Sequence, residues 1–244
     1  MIIIDNVYQK VLALSNKEQR GYVTPQEFNL MANKAQLEIY DSYFHDLKTA
    51  YHKPTKSNMT HGDDIDILNE KLHPFRSSSS FTLSTGENSI SIGDDMYMID
   101  NITKTATNVN SGVAVEVVEM DQKDILYTEN NPLTKATSIR PVYARDIPQS
   151  STVRSITVYP TATQTETYSV NYYKTPSKPH WDYVVVNEKA LYNSTYSVNF
   201  ELHKSEEEIL VSRILQLAGI VIMKPGIVEI GATEKSSIKQ EQNN

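Results

Sequence analysis

The chain has 244 residues, with 30 acidic and 23 basic side chains, a formal net charge of −7 and no cysteine. The lack of cysteine excludes disulfide bonds, cysteine-ligated zinc, iron–sulfur clusters and thiol nucleophiles. The acidic balance argues against a free-standing nucleic-acid-binding protein, which would carry a basic patch, although an acidic wall suits a channel through which DNA slides.

The first residues do not have the pattern of a secretory signal. "MIIIDNVYQKVLAL" has no basic stretch ahead of its isoleucines and meets Asp5 directly after them. No apolar run approaches the length that crosses a bilayer. We therefore expect the chain to fold in a reducing cytoplasm, without a membrane partner.

The first zone, to about residue 75, is predicted to be helical. Ile3, Val7, Val11 and Leu14 recur at helical spacing and predict a short amphipathic helix over 3–14.

A longer helix is predicted after it. Thr24 is placed as its N-cap, Pro25 as its first residue and Glu27 as the third, which completes a capping box. The apolar stripe that follows consists of Phe28, Met31, Ala32, Ala35, Ile39 and Tyr43. Pro54 ends this pattern, and "DDIDILNEKLHPF" predicts a shorter helix capped by Asp63 or Asp64.

The second zone, from about Phe81 to Tyr173, alternates apolar and polar residues and predicts β-strands. "SSSS" at 77–80 is interpreted as the linker that leads into it. "VRSITVYPTATQTETYSVNYYKTP" is interpreted as a hairpin that turns at Pro160. Between the strands, "DQKDILYTENNPLTKATSIRPVYARD" predicts a short helical turn followed by an extended arm.

The third zone begins with the extended "HWDYVVV" and ends with an amphipathic helix and a polar tail. Ser205 is predicted to be the N-cap of that helix, with Glu208 completing a capping box. Its apolar stripe consists of Leu210, Ile214, Leu217 and Val221. Residues 227–238 predict one more weak helix, and "KQEQNN" is expected to fray.

These zones predict an α+β fold. We expect a helical region over 1–76, a central antiparallel β domain over 77–203, and a C-terminal helix and tail over 204–244. The amphipathic helix is expected to pack back on the N-terminal helices.

The sequence predicts no catalytic residue, no cofactor and no metal site. The six histidines do not cluster, and there is neither a GxSxG elbow nor a glycine-rich phosphate loop. "HGDDIDILNE" has no glycine at the sixth position and no glutamate at the twelfth position of a calcium-binding EF-hand loop, so its acids are interpreted as helix caps. Trp181 is interpreted as a packing anchor rather than a ligand platform.

Two stretches resemble a virion protein of crAss-like and related short-tailed bacteriophages. The first is "GYVTPQEFNLMANKAQLEIYDSYFHDL". The second runs from "YYKTPSKPHWDYVVV" through "YNSTYSVNFELHKSEEEILVSRILQLAGI", and together they cover roughly a third of the chain.

The resemblance implies a head-to-tail connector, a ring or adaptor of the tail-tubular type in the virion neck. Such proteins form symmetric homo-oligomeric rings, typically of twelve subunits, with the portal and other neck and tail proteins as partners, and DNA passes through the lumen without specific binding. We expect the virion as location, after synthesis in the host cytoplasm. Ring closure needs two complementary surfaces on each subunit. The candidate interface residues are Phe28, Tyr40, Tyr43, Trp181, Phe200, Leu210, Ile214 and Leu217.

An alternative hypothesis comes from the fifteen tyrosines and the β-rich centre. A phage-tail module that recognises a receptor or a carbohydrate would present aromatic residues in a groove. A hydrolase with a dispersed site is a further alternative.

Overall fold

A computed structural model describes residues 1–16, 23–52, 58–105, 114–146, 154–187 and 189–221. The fold is of the α+β class, as predicted. The chain divides into two compact units. The first combines Met1–Pro74 with Pro176–Asn244, and the second is Phe75–Thr175.

The described elements follow one another along the chain, numbered in order. They are α1 (Ile4–Asn16), α2 (Pro25–His52), α3 (Asn58–Leu72), β1 (Arg76–Leu83), β2 (Ser89–Ile92), β3 (Met96–Thr105), β4 (Ala114–Glu119), α4 (Gln122–Glu129), β5 (Val142–Arg145), β6 (Arg154–Tyr159), β7 (Glu166–Lys174), β8 (Tyr183–Val186), β9 (Lys189–Tyr192) and α5 (Glu207–Val221).

In the first unit, α5 packs against α1 and α2, which confirms that the C-terminal helix folds back on the N-terminal helices. Polar contacts reinforce this packing at both helices. Lys10 on α1 lies 2.8 Å from Glu207 and 2.6 Å from Glu208, and Arg213 pairs with Glu38 of α2. Leu210, Ile214 and Leu217 of its apolar stripe are thus covered by their own chain.

The start of α2 is as the sequence predicts. The backbone N of Glu27 donates to the Thr24 hydroxyl at 3.3 Å, and the Glu27 carboxylate accepts from the Thr24 backbone N at 3.0 Å. This reciprocal capping box satisfies two backbone donors that the first turn would leave unpaired. The same hydrogen bond from the Thr24 backbone lowers the pKa of Glu27.

Two other helix starts differ from the prediction. A short 3₁₀ turn over Lys204–Glu206 precedes α5, and His203 caps it by accepting from the backbone N of Ser205 at 3.3 Å. Glu208 faces Lys10 instead of closing a capping box with Ser205. Helix α3 begins at Asn58, so Asp63 and Asp64 lie inside it rather than at its start.

The boundary of the β domain also differs, because 176–203 belongs to the helical unit. Ile2 and Phe200 form an antiparallel bridge, and β8 and β9 form a separate two-stranded sheet. The strand-like residues near Trp181 therefore complete the helical unit.

The second unit is built on a seven-stranded sheet in the order β1-β7-β3-β4-β5-β6-β2. The sheet was predicted to be antiparallel, but β4 and β5 pair in parallel. The chain between them passes through α4, and such a crossover returns the second strand in the direction of the first. The sheet is therefore mixed.

All seven strands contribute side chains to one core. Strand β7 shows the pattern best, because alternate residues from Glu166 to Tyr172 are buried. The core consists of Leu83, Ile90, Ile92, Met96, Ile102, Val117, Tyr143, Ile156, Val158, Ala162, Tyr168, Val170 and Tyr172.

Two interpretations of the β zone were wrong. The serines at 77–80 lie within β1 and pair with β7, because backbone pairing does not depend on their polar side chains. Strands β6 and β7 do not pair with each other: β6 lies between β5 and β2, whereas β7 lies between β1 and β3. The helix predicted over 227–238 and the terminal "KQEQNN" fall outside the described residues.

Candidate assembly surfaces

The eight candidate interface residues lie in the core of the first unit. Each is at most 8% exposed, and the set is Phe28, Tyr40, Tyr43, Trp181, Phe200, Leu210, Ile214 and Leu217. Side chains that their own chain covers offer almost no area to a neighbouring subunit. Surfaces for assembly must therefore be sought among exposed residues.

Trp181 is the centre of this core. Its indole Nε1 donates to Asp5 Oδ1 at 3.0 Å, while its backbone N and O bond the Asn29 side chain at 2.8 and 3.1 Å. Its ring contacts three tyrosine rings, with centroids 4.3 Å away for Tyr8, 5.7 Å for Tyr183 and 6.0 Å for Tyr192. These contacts fix the base of the β8–β9 hairpin on α1 and α2.

Beyond that base, the hairpin exposes apolar side chains. Val184, Val185, Val186 and Leu191 are 45–63% exposed, and Val184 pairs with Leu191 across the two strands. We call these four residues the hairpin surface. A two-stranded hairpin is marginally stable alone, and clustered exposed apolar residues are typical of contact sites.

The second unit exposes large apolar residues on and after α4. Leu126 and Tyr127 on the helix, and Leu133 and Ile139 after it, are 69–90% exposed. Of the apolar residues on α4, Ile125 alone is buried. We call the four exposed residues the α4 surface.

Sequence reasoning did not identify either surface. The run "YVVV" predicts a strand, and consecutive valines are typical of a strand buried on both faces. Only the structure reveals that, among the described strands, β8 pairs with β9 alone. In "DILYTENNPL", the sequence feature that could have indicated the α4 surface was a set of large apolar residues in a turn-rich stretch.

The first unit also contains a buried ion pair. Lys71 Nζ at the end of α3 lies 2.8 Å from Glu206 Oε1 in the turn before α5. The nearby Tyr43 hydroxyl is buried and has no hydrogen-bond partner among the described residues. Burial, and then the charges of Glu206 and Asp46, raise the pKa of Tyr43.

A second buried pair crosses the β core. Lys104 Nζ on β3 lies 2.7 Å from Glu166 Oε1 on β7, and the Tyr168 hydroxyl donates to Glu166 Oε2 at 2.7 Å. Burial and this hydrogen bond raise the pKa of Tyr168. An unpaired buried charge would destabilise the fold, but here each charge has its partner.

The described part of the chain contains no group of three or more His, Asp or Glu side chains that could hold a metal ion. His45 and His52 are both exposed on α2. Among the helices described, none is both long and apolar enough to span a bilayer.

Comparison with known proteins gives no match, either to a protein-family model or to a curated protein. The bacteriophage resemblance therefore remains a prediction from the sequence stretches that carry it.

Proposed function

We propose that the protein is a structural component of a bacteriophage virion neck and assembles head to tail into a closed ring between portal and tail. The observation that carries this proposal is that each unit has its own exposed apolar surface, the hairpin surface on the first and the α4 surface on the second. Ring-forming contacts are heterologous and join two different surfaces of identical subunits.

The two surfaces differ in shape, as such a contact requires. The hairpin surface is a narrow two-stranded ribbon, whereas the α4 surface combines a helix with the chain that follows it. In the proposed contact, the valines of one subunit bury against Tyr127 and Leu126 of the next. Burial of apolar area supplies the driving force.

The acidic net charge of −7 is compatible with DNA passing through such a ring. A lumen that attracted phosphates would retain DNA, because each neutralised phosphate strengthens the binding. The dodecameric stoichiometry and the portal as a neighbour are part of the proposal and rest on the sequence resemblance.

Cysteine cross-linking tests the head-to-tail contact, because the natural chain has no cysteine. Val185→Cys and Tyr127→Cys are introduced together in the full chain, and mild oxidant is added under assembly conditions. Disulfides form only where Cα atoms approach within about 7 Å. We expect a ladder of covalent multimers from the double variant and none from either single variant.

In the control double variant, Leu30→Cys replaces one of the two cysteines, since Leu30 is 75% exposed on α2 and outside both surfaces. This control should give no ladder. Dimers from either single variant would indicate a symmetric contact and contradict the ring. Absence of the ladder, both from this double variant and from double variants at neighbouring positions of the two surfaces, would reject the contact. Antibody labelling of purified particles tests the location: label at the junction of capsid and tail is expected, and label at fibre tips would contradict it.

A further inference from the structure

The outer face of strands β1, β7 and β3 carries only hydroxyl and amide side chains over three consecutive rows. All nine are exposed or half-buried, and we call them the hydroxyl–amide face. Row by row across the three strands, they are Ser78, Asn171 and Asn101, then Ser80, Ser169 and Thr103, then Thr82, Thr167 and Thr105.

This face is ordered by the sheet beneath it. Neighbouring strands lie about 4.8 Å apart, and side chains of alternate residues point to the same side. Asn171 Nδ2 donates to Asn101 Oδ1 at 2.6 Å, and the hydroxyl oxygens of Ser78 and Ser169 lie 3.1 Å apart. On β7 and β3 the residues between them in sequence are buried, so the face is a regular array of donors and acceptors on an ordered support.

A cavity of about 350 Å³ opens at one end of the array. Ser78 and Asn171 belong to both features, so the cavity is continuous with the face. Its lining residues are Arg76, Ser77, Ser78, Asp100, Asn171 and Tyr172.

The cavity brings together one fixed cation and one carboxylate. The Arg76 guanidinium donates to the Tyr173 hydroxyl at 3.2 Å through Nε and 2.9 Å through Nη2, and it lies 5.4 Å from the centre of that ring. Asp100 supplies an exposed acceptor. A ligand with neighbouring hydroxyls can donate to the carboxylate and accept from the guanidinium at once.

Charge and polarity narrow the class of ligand. The nine residues of the face include no cation, which nucleic-acid backbones require, and no apolar side chain, which a protein partner would bury. We propose that the cavity and the hydroxyl–amide face together bind a neutral oligosaccharide, with one sugar residue in the cavity and the following residues along the face. The proposal stands independently of ring assembly.

Binding to defined sugars tests the proposal directly. The purified full chain is applied to immobilised oligosaccharides of glucose, galactose, mannose and N-acetylglucosamine, with sialylated and uronic-acid oligosaccharides and duplex DNA alongside. We expect at least one neutral oligosaccharide to bind with a dissociation constant on the order of 0.1–1 mM. Failure of every neutral oligosaccharide to bind, or a preference for acidic sugars or DNA, would overturn it.

Variants then test the contributions of the cavity and of the face to binding separately. Asp100→Ala removes a charge-assisted acceptor and should weaken binding about tenfold, with Asp100→Asn used if the alanine variant folds poorly. Thr167→Arg obstructs the row of the face farthest from the cavity and should weaken oligosaccharide binding while leaving binding of the corresponding monosaccharide unchanged. Asp124→Ala, an exposed carboxylate of the same unit outside the cavity, serves as the control. Equal affinities for Asp100→Ala and Asp124→Ala would rule out the cavity.

Discussion

The indole Nε1 of Trp181 donates a hydrogen bond to Asp5 Oδ1 at 3.0 Å, joining residues 176 positions apart in sequence. Asp5 lies in the first turn of α1, and Trp181 precedes the β8–β9 hairpin. Together with the Asn29 contacts to the Trp181 backbone, this bond joins the N-terminal helices to the segment before the β8–β9 hairpin in one core. The arrangement explains why 176–203 belongs to the helical unit.

Removing either partner should destabilise the first unit by different amounts. Trp181→Ala should lower the free energy of unfolding by about 3–5 kcal/mol, because it deletes a large buried ring. Asp5→Ala should cost about 1–3 kcal/mol, because it leaves the indole N–H unpaired. Urea denaturation of each variant measures both values.

A double-mutant cycle isolates the hydrogen bond itself. In a Trp181→Phe background there is no indole N–H, so Asp5→Ala should cost clearly less than it does in the natural chain. The same cost in both backgrounds would contradict a role for the bond.

Local signals in the sequence predicted the start of α2 and the apolar face of α5, but not the starts of α3 and α5. The Thr24–Glu27 capping box and the stripe of α5 both follow from residue spacing, which the helix geometry fixes. The α+β class followed from the order of these patterns.

Long-range pairing was not predictable in the same way. The serines of β1 and the separation of β6 from β7 depend on which strands meet, and residues close in sequence carry little information about that. Burial was misjudged for a related reason. The sequence predicted that the helix carrying Leu210 and Ile214 packs on the N-terminal helices, but the same residues were also expected at a subunit interface, and the structure shows them fully covered by their own chain.

The Tyr43 hydroxyl, which has no hydrogen-bond partner in the described part of the chain, gives a prediction of increased stability. A buried polar group without a partner costs about 1–3 kcal/mol, and Tyr43→Phe removes that group while it keeps the ring. We therefore expect the free energy of unfolding to rise by about 1 kcal/mol. The matched control is Tyr8→Phe, which loses a hydrogen bond of 3.4 Å to the Val23 carbonyl and should not stabilise. A loss of stability in Tyr43→Phe would indicate a partner for its hydroxyl.

The buried Lys104–Glu166 pair should be sensitive to the loss of one charge. Lys104→Met leaves the Glu166 carboxylate buried without its cation and should cost about 3–5 kcal/mol. The double variant Lys104→Met with Glu166→Gln removes both charges and should recover much of that loss. Chemical denaturation of the single and double variants measures the difference.

An exposed pair provides the comparison for that experiment. Lys123 and Asp121 are both about three-quarters exposed and lie 3.6 Å apart, so Lys123→Met should change stability by less than about 1 kcal/mol. If Lys104→Met lowered the stability no more than Lys123→Met does, solvent would have to reach the Lys104–Glu166 pair.

Tyr143 should make the second unit sensitive to alkaline pH. Burial, followed by the hydrogen bond to Glu119 and its charge, raises the pKa of Tyr143 to about 12. In the unfolded chain the group titrates near pH 10, so unfolding above that pH releases a proton that the folded state still holds. The stability that neutral Tyr143 contributes is therefore fully present below about pH 10 and is lost as the pH rises towards 12.

Tyr143→Phe removes this titration and leaves the other tyrosines in place. The stability of the natural chain minus that of the variant should be constant up to about pH 10 and then fall towards pH 12. Urea titrations of both proteins at matched pH values measure the difference. A natural chain and a Tyr143→Phe variant that lose stability in parallel would mean that Tyr143 titrates alike in the folded and unfolded states.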